Sequence, residues 1–243
     1  MQVYRELPVI TNQARRRPAQ LVGVISVTED WTVARHRALA EEIIAKEADF
    51  VLDAGTGMYL NAILLDIPLA PKVPAELRRR AEEAVGGEPN PRRAARAREL
   101  ELIGAAGRGS IWDGDLSYDT SIVYVRPEKH DLDAAIEERS RSIALNGLEE
   151  AGRLREMTAA GTRISPQVMG SVGVRELLGH LAGTISVQQA QELIATRTRR
   201  LARRQMRWFD KLVRTLEGRA RITVVQGTEH RLDSHNMHDI LGI

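Results

Sequence analysis

Three groups of residues in this sequence could carry chemistry. The first is the turn Asp53-Ala54-Gly55-Thr56-Gly57. It follows the apolar run Phe50-Val51-Leu52 and precedes Met58, Tyr59, Leu60, Ile63, Leu64 and Leu65 at helical spacing. A strand that ends in a small-residue turn and opens a helix presents free backbone N–H groups and a positive dipole end, which suit an anion. Thr56 adds a hydroxyl where a polarised substrate oxygen could sit. The competing reading is structural, since Gly-x-Gly often only lets a helix pack tightly on its strand.

The second group is a basic stripe. Between Thr196 and Arg221 ten basic residues face only Asp210 and Glu217. Arg197, Arg200, Arg204, Arg207, Lys211 and Arg214 recur at alternating intervals of three and four, so they share one helical face. A stripe of one sign repels itself unless something anionic lies against it, and a phosphate backbone is the natural partner. The alternative is a solvated helix. The third group is scattered. Arg139, next to Glu137 and Glu138, reads by itself as a surface arginine paired with a nearby acid. Glu176, beside Arg175, reads as a salt-bridge partner more than as a base. His230, His235 and His238 have a spacing that fits no standard zinc set.

The elements that must position these residues follow from periodicity. Gln2 to Tyr4 reads as a strand end, Leu21 to Val27 as a buried strand, and Trp31 to Lys46 as an amphipathic helix capped by Thr28 or Asp30. The Phe50 strand and the helix after Gly57 come next. Strand and helix alternating in this way predict a parallel sheet with helices on its faces. Pro68, Pro71 and Pro74 mark a linker; charged helices are expected over 75–84 and 92–103, separated by Gly86 to Pro91. Ser121 to Arg126 is a further strand. Helices follow at 132–145, 147–157 and 167–181, then one long helix over 184–217 with Ser186 as its cap. Arg221 to Gln226 is a candidate strand and the tail from Thr228 is expected to be irregular. No Gly-x-x-x-x-Gly-Lys-Ser/Thr phosphate loop occurs in the chain.

The 243 residues, 43% apolar and 28% charged, are those of a globular protein with one domain, or one domain plus a small insertion. The absence of cysteine excludes disulfides and thiolate metal sites and agrees with a reducing cytoplasm. No secretory signal and no apolar run of membrane-spanning length is present. The net charge of +2 says little about nucleic acid; its concentration in the last third says more.

Four stretches, in order, resemble the tRNA dimethylallyltransferases, also called tRNA isopentenyltransferases. GTGMYLNAILLDIPLAP is similar to that family's Gly-Thr-Gly, Tyr-Leu, small-Leu-Leu stretch. The opening MQVYREL resembles its Asp-Ser-Met-Gln-Val-Tyr-Arg-Gly segment. Leu132 to Leu154 follows its pattern of a leucine, two arginines four apart, then Gly-Leu and Glu. Thr198 to Phe209, TRRLARRQMRWF, resembles its Thr-Arg, Ala-Lys-Arg-Gln, Trp-Phe signature.

The resemblance implies an α/β fold of P-loop-type architecture, with a mainly parallel sheet, a shortened helical insertion and a long basic C-terminal helix. It places residues 1–73 and 115–243 in the core and 74–114 in the insertion. It implies transfer of a dimethylallyl group from dimethylallyl diphosphate to the exocyclic amine of an adenosine beside the tRNA anticodon, with Mg²⁺ as cofactor. Thr56 and Arg139 would be the catalytic pair on the diphosphate. Gln2 would read the adenine, and Gly55, Gly57, Tyr59, Arg98 and Arg175 would contact substrate. Arg197, Arg200, Arg204, Gln205, Arg207 and Lys211 would bind RNA. A cytoplasmic monomer without membrane attachment is expected.

The sequence departs from the family pattern at Ala54, Ala135, Ile143 and Val174, and between Pro74 and Arg98 it is short. The family's phosphate loop and its general base, the aspartate of Asp-Ser-Met-Gln, precede the point at which this chain begins. A truncated enzyme is therefore expected, one that would not turn over at a useful rate without upstream residues. The alternative is a non-catalytic tRNA- or RNA-binding relative that has lost the site.

Overall fold

The computed structural model describes residues 2–227 apart from 16, 48, 72, 90 and 106–108. The three histidines considered for zinc lie outside the described residues. The chain divides into two compact units, residues 1–59 with 119–243, and residues 60–118.

In the first unit the segment before the first helix folds back on itself. Parallel pairing of Tyr4 with Ile25 is carried by Arg5 N to Ile25 O at 3.0 Å and Ile25 N to Val3 O at 2.9 Å. The pairing is one bridge long, shorter than the strands expected at Gln2–Tyr4 and Leu21–Val27. Leu21 and Gly23, with φ of 59° and 62°, turn the backbone away from extended geometry just before it. A short turn at Leu7–Asn12 follows the bridge, with Thr11 N bonded to Leu7 O and Asn12 N to Val9 O. Helix α1 (Val33–Ile44) is capped by the Thr32 hydroxyl, which accepts from Arg35 N, rather than by Thr28 or Asp30.

The Phe50–Leu52 run is not a strand. Val51 is 66% exposed, and no strand among the described residues supplies the ladder an apolar run needs. The run leads as extended chain into the turn and then into α2 (Gly57–Leu64), which carries the chain into the second unit. Among the described residues the sheet consists of β1 (Ser121–Arg126) and β2 (Arg221–Gln226), paired in parallel with Ser121 opposite Arg221 and Arg126 opposite Gln226. The candidate strand near the C-terminus thus supplies the partner of β1.

Helices α5 (Lys129–Asn146), α6 (Leu148–Ala159), α7 (Pro166–Met169), α8 (Val174–Leu181) and α9 (Val187–Leu216) complete this unit. The single helix expected over 167–181 is two, because Gly173 adopts φ +103°, which no α-helical residue can hold. α9 starts at a capping box: the Ser186 hydroxyl accepts from Gln189 N at 3.1 Å and the Gln189 side chain accepts from Ser186 N at 2.8 Å. The core joins Tyr4, Leu7, Ile10, Ile25, Val27 and Trp31 of the N-terminal segment to Ile143, Leu154, Leu177 and Ile194 of the helices. Burial of such side chains at about 1.5–3 kcal/mol each holds the helices and the N-terminal loop as one body.

Glu150 is the polar counterpart of that packing. Buried at 3% exposure, its carboxylate accepts from Val9 N at 2.7 Å and Ile10 N at 2.9 Å, pinning the Leu7–Asn12 turn to α6. Glu150→Ala leaves a buried N–H without an acceptor and is expected to lower stability by about 1–3 kcal/mol. The check is the urea midpoint; an unchanged midpoint would show that the turn is held by apolar packing alone.

In the second unit α3 (Ala75–Glu83) packs on α4 (Pro91–Leu102). The buried Glu99 carboxylate lies 3.7 Å from Arg78 and 2.5 Å from Arg96. Leu65 and Leu116 form an antiparallel bridge in the same unit. No helix among the described residues is long and apolar enough to cross a membrane.

Candidate anion site and basic helix

The Asp53–Gly57 turn is held from one side by α9. Gln205 Nε2 donates to the Gly55 carbonyl at 2.6 Å, and a Cβ at Gly55 would stand 3.0 Å from that nitrogen. At Gly57 the approach is closer: a Cβ would fall 2.1 Å from Trp208 Cδ1. Only glycine lets the indole lie against the first turn of α2, so the Gly-x-Gly spacing serves helix packing in addition to any ligand. Thr56 is exposed between the two glycines. Its carbonyl accepts from Tyr59 N at 3.2 Å, while its hydroxyl has no hydrogen-bond partner among the described residues.

On the other side the N-terminal loop reaches the turn through Arg15. Its Nε lies 3.7 Å from Asp53 Oδ2, its Nη2 donates to Gln2 Oε1 at 2.5 Å, and its Nη1 donates to Asn12 O at 3.0 Å. Arg139 on α5 stands beside this group. Its surroundings, through burial, and the like charge of Arg15 push its pKa down. The acids adjacent to Arg139 in sequence are engaged elsewhere, Glu137 with Arg199 and Glu138 with Arg141. Arg139 itself has no ion pair or hydrogen bond among the described residues, and although neighbouring atoms desolvate it, its side chain still reaches solvent. Arg15, paired with Asp53, brings positive charge to the turn that also carries the Thr56 hydroxyl, and Arg139 adds a second guanidinium near Arg15. That is the electrostatics of a site for an anion with several oxygens.

The remaining site expectations fall in different places. Tyr59 is half-buried, with its ring stacked on His36 at 4.8 Å between centroids; burial raises the tyrosine pKa and lowers that of the imidazole. Arg98 belongs to the second unit and is paired with Glu101 at 2.7 Å. Arg175 is exposed on α8 without a bonded partner among the described residues. Glu176 beside it caps α8 through Gly173 N at 3.0 Å and holds Arg197 at 2.6 Å, a salt-bridge partner as its sequence context suggests.

The basic stripe of α9 separates into two parts. Arg197 is tied to Glu176 and to Gly170 O, and Arg199 to Asp133 and Glu137. From Arg200 onward the character changes. Arg200, Arg203, Arg204, Arg207 and Arg214 are exposed and have no ion pair among the described residues, and Lys211 is exposed in the same stretch. Asp210, the acid within that stretch, faces β1: it accepts from Tyr124 at 3.1 Å and from Arg126 at 3.2 Å. Burial, and then the neighbouring Asp210, push the Tyr124 pKa up to about 12. The helix surface is left with cations of one sign. Gln205 and Trp208 on the same helix hold the 53–57 turn, so anion site and basic face share one rigid element.

Arg15 carried no sequence signal of its own, because it sits in the run Arg15-Arg16-Arg17 where any one arginine looks solvated. Glu150 was visible only as part of a family-like pattern.

The family model described as IPP transferase matches residues 2–105 and 87–212. The chain is 59% identical to the tRNA dimethylallyltransferase of Rubrobacter xylanophilus, over all of this chain and 85% of that protein. It is 30% identical to tRNA dimethylallyltransferase 1 of Citrifermentans bemidjiense, over 87% of this chain and 78% of that one. Among solved structures, the full-length tRNA isopentenylpyrophosphate transferase of Bacillus halodurans superposes with a TM-score of 0.66 at 22% identity, covering 98% of this chain and 83% of that one. That of Staphylococcus epidermidis gives 0.63 at 17% identity. These likenesses carry the fold beyond the short sheet of the described residues, to the P-loop-type α/β architecture.

Proposed function

This chain belongs to the IPP transferase family, and from that premise we propose how its surface performs tRNA dimethylallyl transfer. The exocyclic amine of an adenosine next to the anticodon attacks the allylic carbon of dimethylallyl diphosphate. The carbon–oxygen bond breaks, diphosphate leaves with the electron pair, and the nitrogen loses a proton to a general base. The adenine must leave its stack for the amine to reach that carbon.

The observation that carries the residue assignment is the unpaired Arg139 beside Arg15 and the free Thr56 hydroxyl. Negative charge grows on the diphosphate as the bond breaks, and preorganised cations and donors lower that barrier most. Arg139 neutralises the leaving group, Thr56 donates to a phosphate or bridging oxygen, and the first turn of α2 offers N–H groups to it. Gln2 reads the adenine. The exposed arginines from Arg200 to Arg214, with Lys211, hold the tRNA backbone. Residues 74–114 act as a shortened insertion, and the enzyme works as a cytoplasmic monomer.

The donors at the turn fit Mg²⁺ as an ion carried mainly by the diphosphate. The Thr56 hydroxyl and the Asp53 carboxylate, 81% exposed, are hard oxygen ligands of the kind such an ion takes alongside phosphate and water. The cluster of Glu128, His130 and Asp131 belongs instead to the start of α5. When bound, Mg²⁺ would supply further charge neutralisation of the departing diphosphate.

The test is incorporation of labelled dimethylallyl diphosphate into unmodified tRNA by the full product of the gene. Label is expected in one adenosine beside the anticodon. Binding of tRNA with no incorporation under any condition would overturn the catalytic reading.

A further inference from the structure

The Gln2 side chain is fixed at both ends by groups that cannot exchange roles. Its nitrogen donates to the Asn12 carbonyl at 2.5 Å, and its oxygen accepts from Arg15 Nη2 at 2.5 Å. A carbonyl only accepts and a guanidinium only donates, so each neighbour independently dictates which way the amide points. Asn12 can offer that carbonyl because it takes φ 56°, a left-handed conformation asparagine tolerates, at the end of the Leu7–Asn12 turn. Arg15 is itself braced by Asn12 O at 3.0 Å, Ala14 O at 3.1 Å and Asp53 at 3.7 Å. Its side chain is 27% exposed.

An amide has two N–H groups and two oxygen lone pairs. With one of each occupied, Gln2 keeps one N–H and one lone pair, and neither has a partner among the described residues. That remaining pair matches an adenine edge, which offers an N6–H donor next to a ring-nitrogen acceptor. A flipped amide would present its groups in the reverse order and reject the same edge.

We propose that Arg15 is a positioning residue for base recognition: it locks the Gln2 amide in the single orientation that reads adenine, and couples that orientation to the 53–57 turn through Asp53. This rests on the assignment of Gln2 as the adenine reader. Arg15 touches neither the base nor the reacting atoms in this account, but it also adds charge beside Arg139, so its loss is judged by base selectivity in binding and not by the rate of transfer.

The experiment measures equilibrium binding of an anticodon stem-loop RNA whose target adenosine is replaced by 7-deazaadenosine or by 1-deazaadenosine. The full gene product is compared with Arg15→Ala, Arg15→Lys and Gln2→Ala. The wild type should bind one of the two analogues about tenfold or more weakly than adenosine, as expected for one lost base contact. In Arg15→Ala and Gln2→Ala that ratio should fall toward one, and Arg15→Lys, which retains a donor, should restore part of it. A purely structural role for Arg15 would weaken all three RNAs alike and leave the ratio intact. A preserved ratio in Arg15→Ala, or a wild type that discriminates against neither analogue, overturns the proposal. Because binding is the readout, the labelled-transfer assay separately reports on the catalytic reading: normal transfer with a preserved ratio sinks only the role of Arg15. A lost ratio without transfer sinks only the catalysis.

Discussion

Arg139→Ala is expected to lower the single-turnover rate of dimethylallyl transfer by about two to three orders of magnitude, the usual cost of removing one preorganised group from developing negative charge. The fold should be nearly untouched. Among the described residues Arg139 has no bonded partner to lose, since Glu137 and Glu138 are held by Arg199 and Arg141. The guanidinium is also the group assigned to meet the diphosphate, so the variant should bind that substrate more weakly as well. Thr56→Ala should move the rate in the same direction by less, since a neutral hydroxyl is a weaker donor than a guanidinium. The measurement is a rapid-quench time course at saturating tRNA, with thermal melting as the control for folding. A rate within a factor of three of wild type for Arg139→Ala would remove it from the reaction.

The second large effect concerns RNA. Replacing Arg200, Arg204 and Arg207 together with alanine should flatten the dependence of log affinity on log salt by about two to three units, nearly one per lost phosphate contact. All three are exposed and unpaired among the described residues, so the loss is expected in binding and not in stability. Arg197→Ala is the contrasting variant. It strands the Glu176 carboxylate, which is 7% exposed, and should lower the melting temperature while leaving the salt slope in place. Filter binding of unmodified tRNA across a salt series distinguishes them. An unchanged slope in the triple variant would show that the stripe is a solvated face, and a slope change in Arg197→Ala would return that residue to the RNA surface.

The two outcomes bear on one element. Gln205 and Trp208 lie on the same turns of α9 as Arg204 and Arg207, and they hold Gly55 and Gly57. A tRNA seated on the arginines therefore rests on the helix that shapes the anion site. Gly57 cannot be replaced without moving the indole, so that coupling depends on a residue whose importance is steric.

What the sequence by itself determined is what near neighbours decide. α9 was readable from Ser186 to Leu216 because its cap, its apolar spacing and its basic face all repeat within a few residues. The same holds for α3 and α4, and for Thr56 and Arg139, each of which lies in its own short family-like stretch. Tertiary structure decided everything that depends on partners far apart in the chain. The Phe50 run looks like a strand by composition but has no ladder among the described residues, whereas Arg221–Gln226 becomes a strand because Ser121–Arg126 lies alongside. The even spacing of Arg197 and Arg200 hid that one is bound to Glu176 and the other has no partner among the described residues. Gln2, Arg15 and Asp53 span some fifty positions, and Gly55 meets Gln205 at a separation of 150. Helical periodicity is a property of local backbone geometry, so it is written along the sequence. The orientation of an amide or the pairing of a guanidinium is set by whichever group the folded chain brings against it.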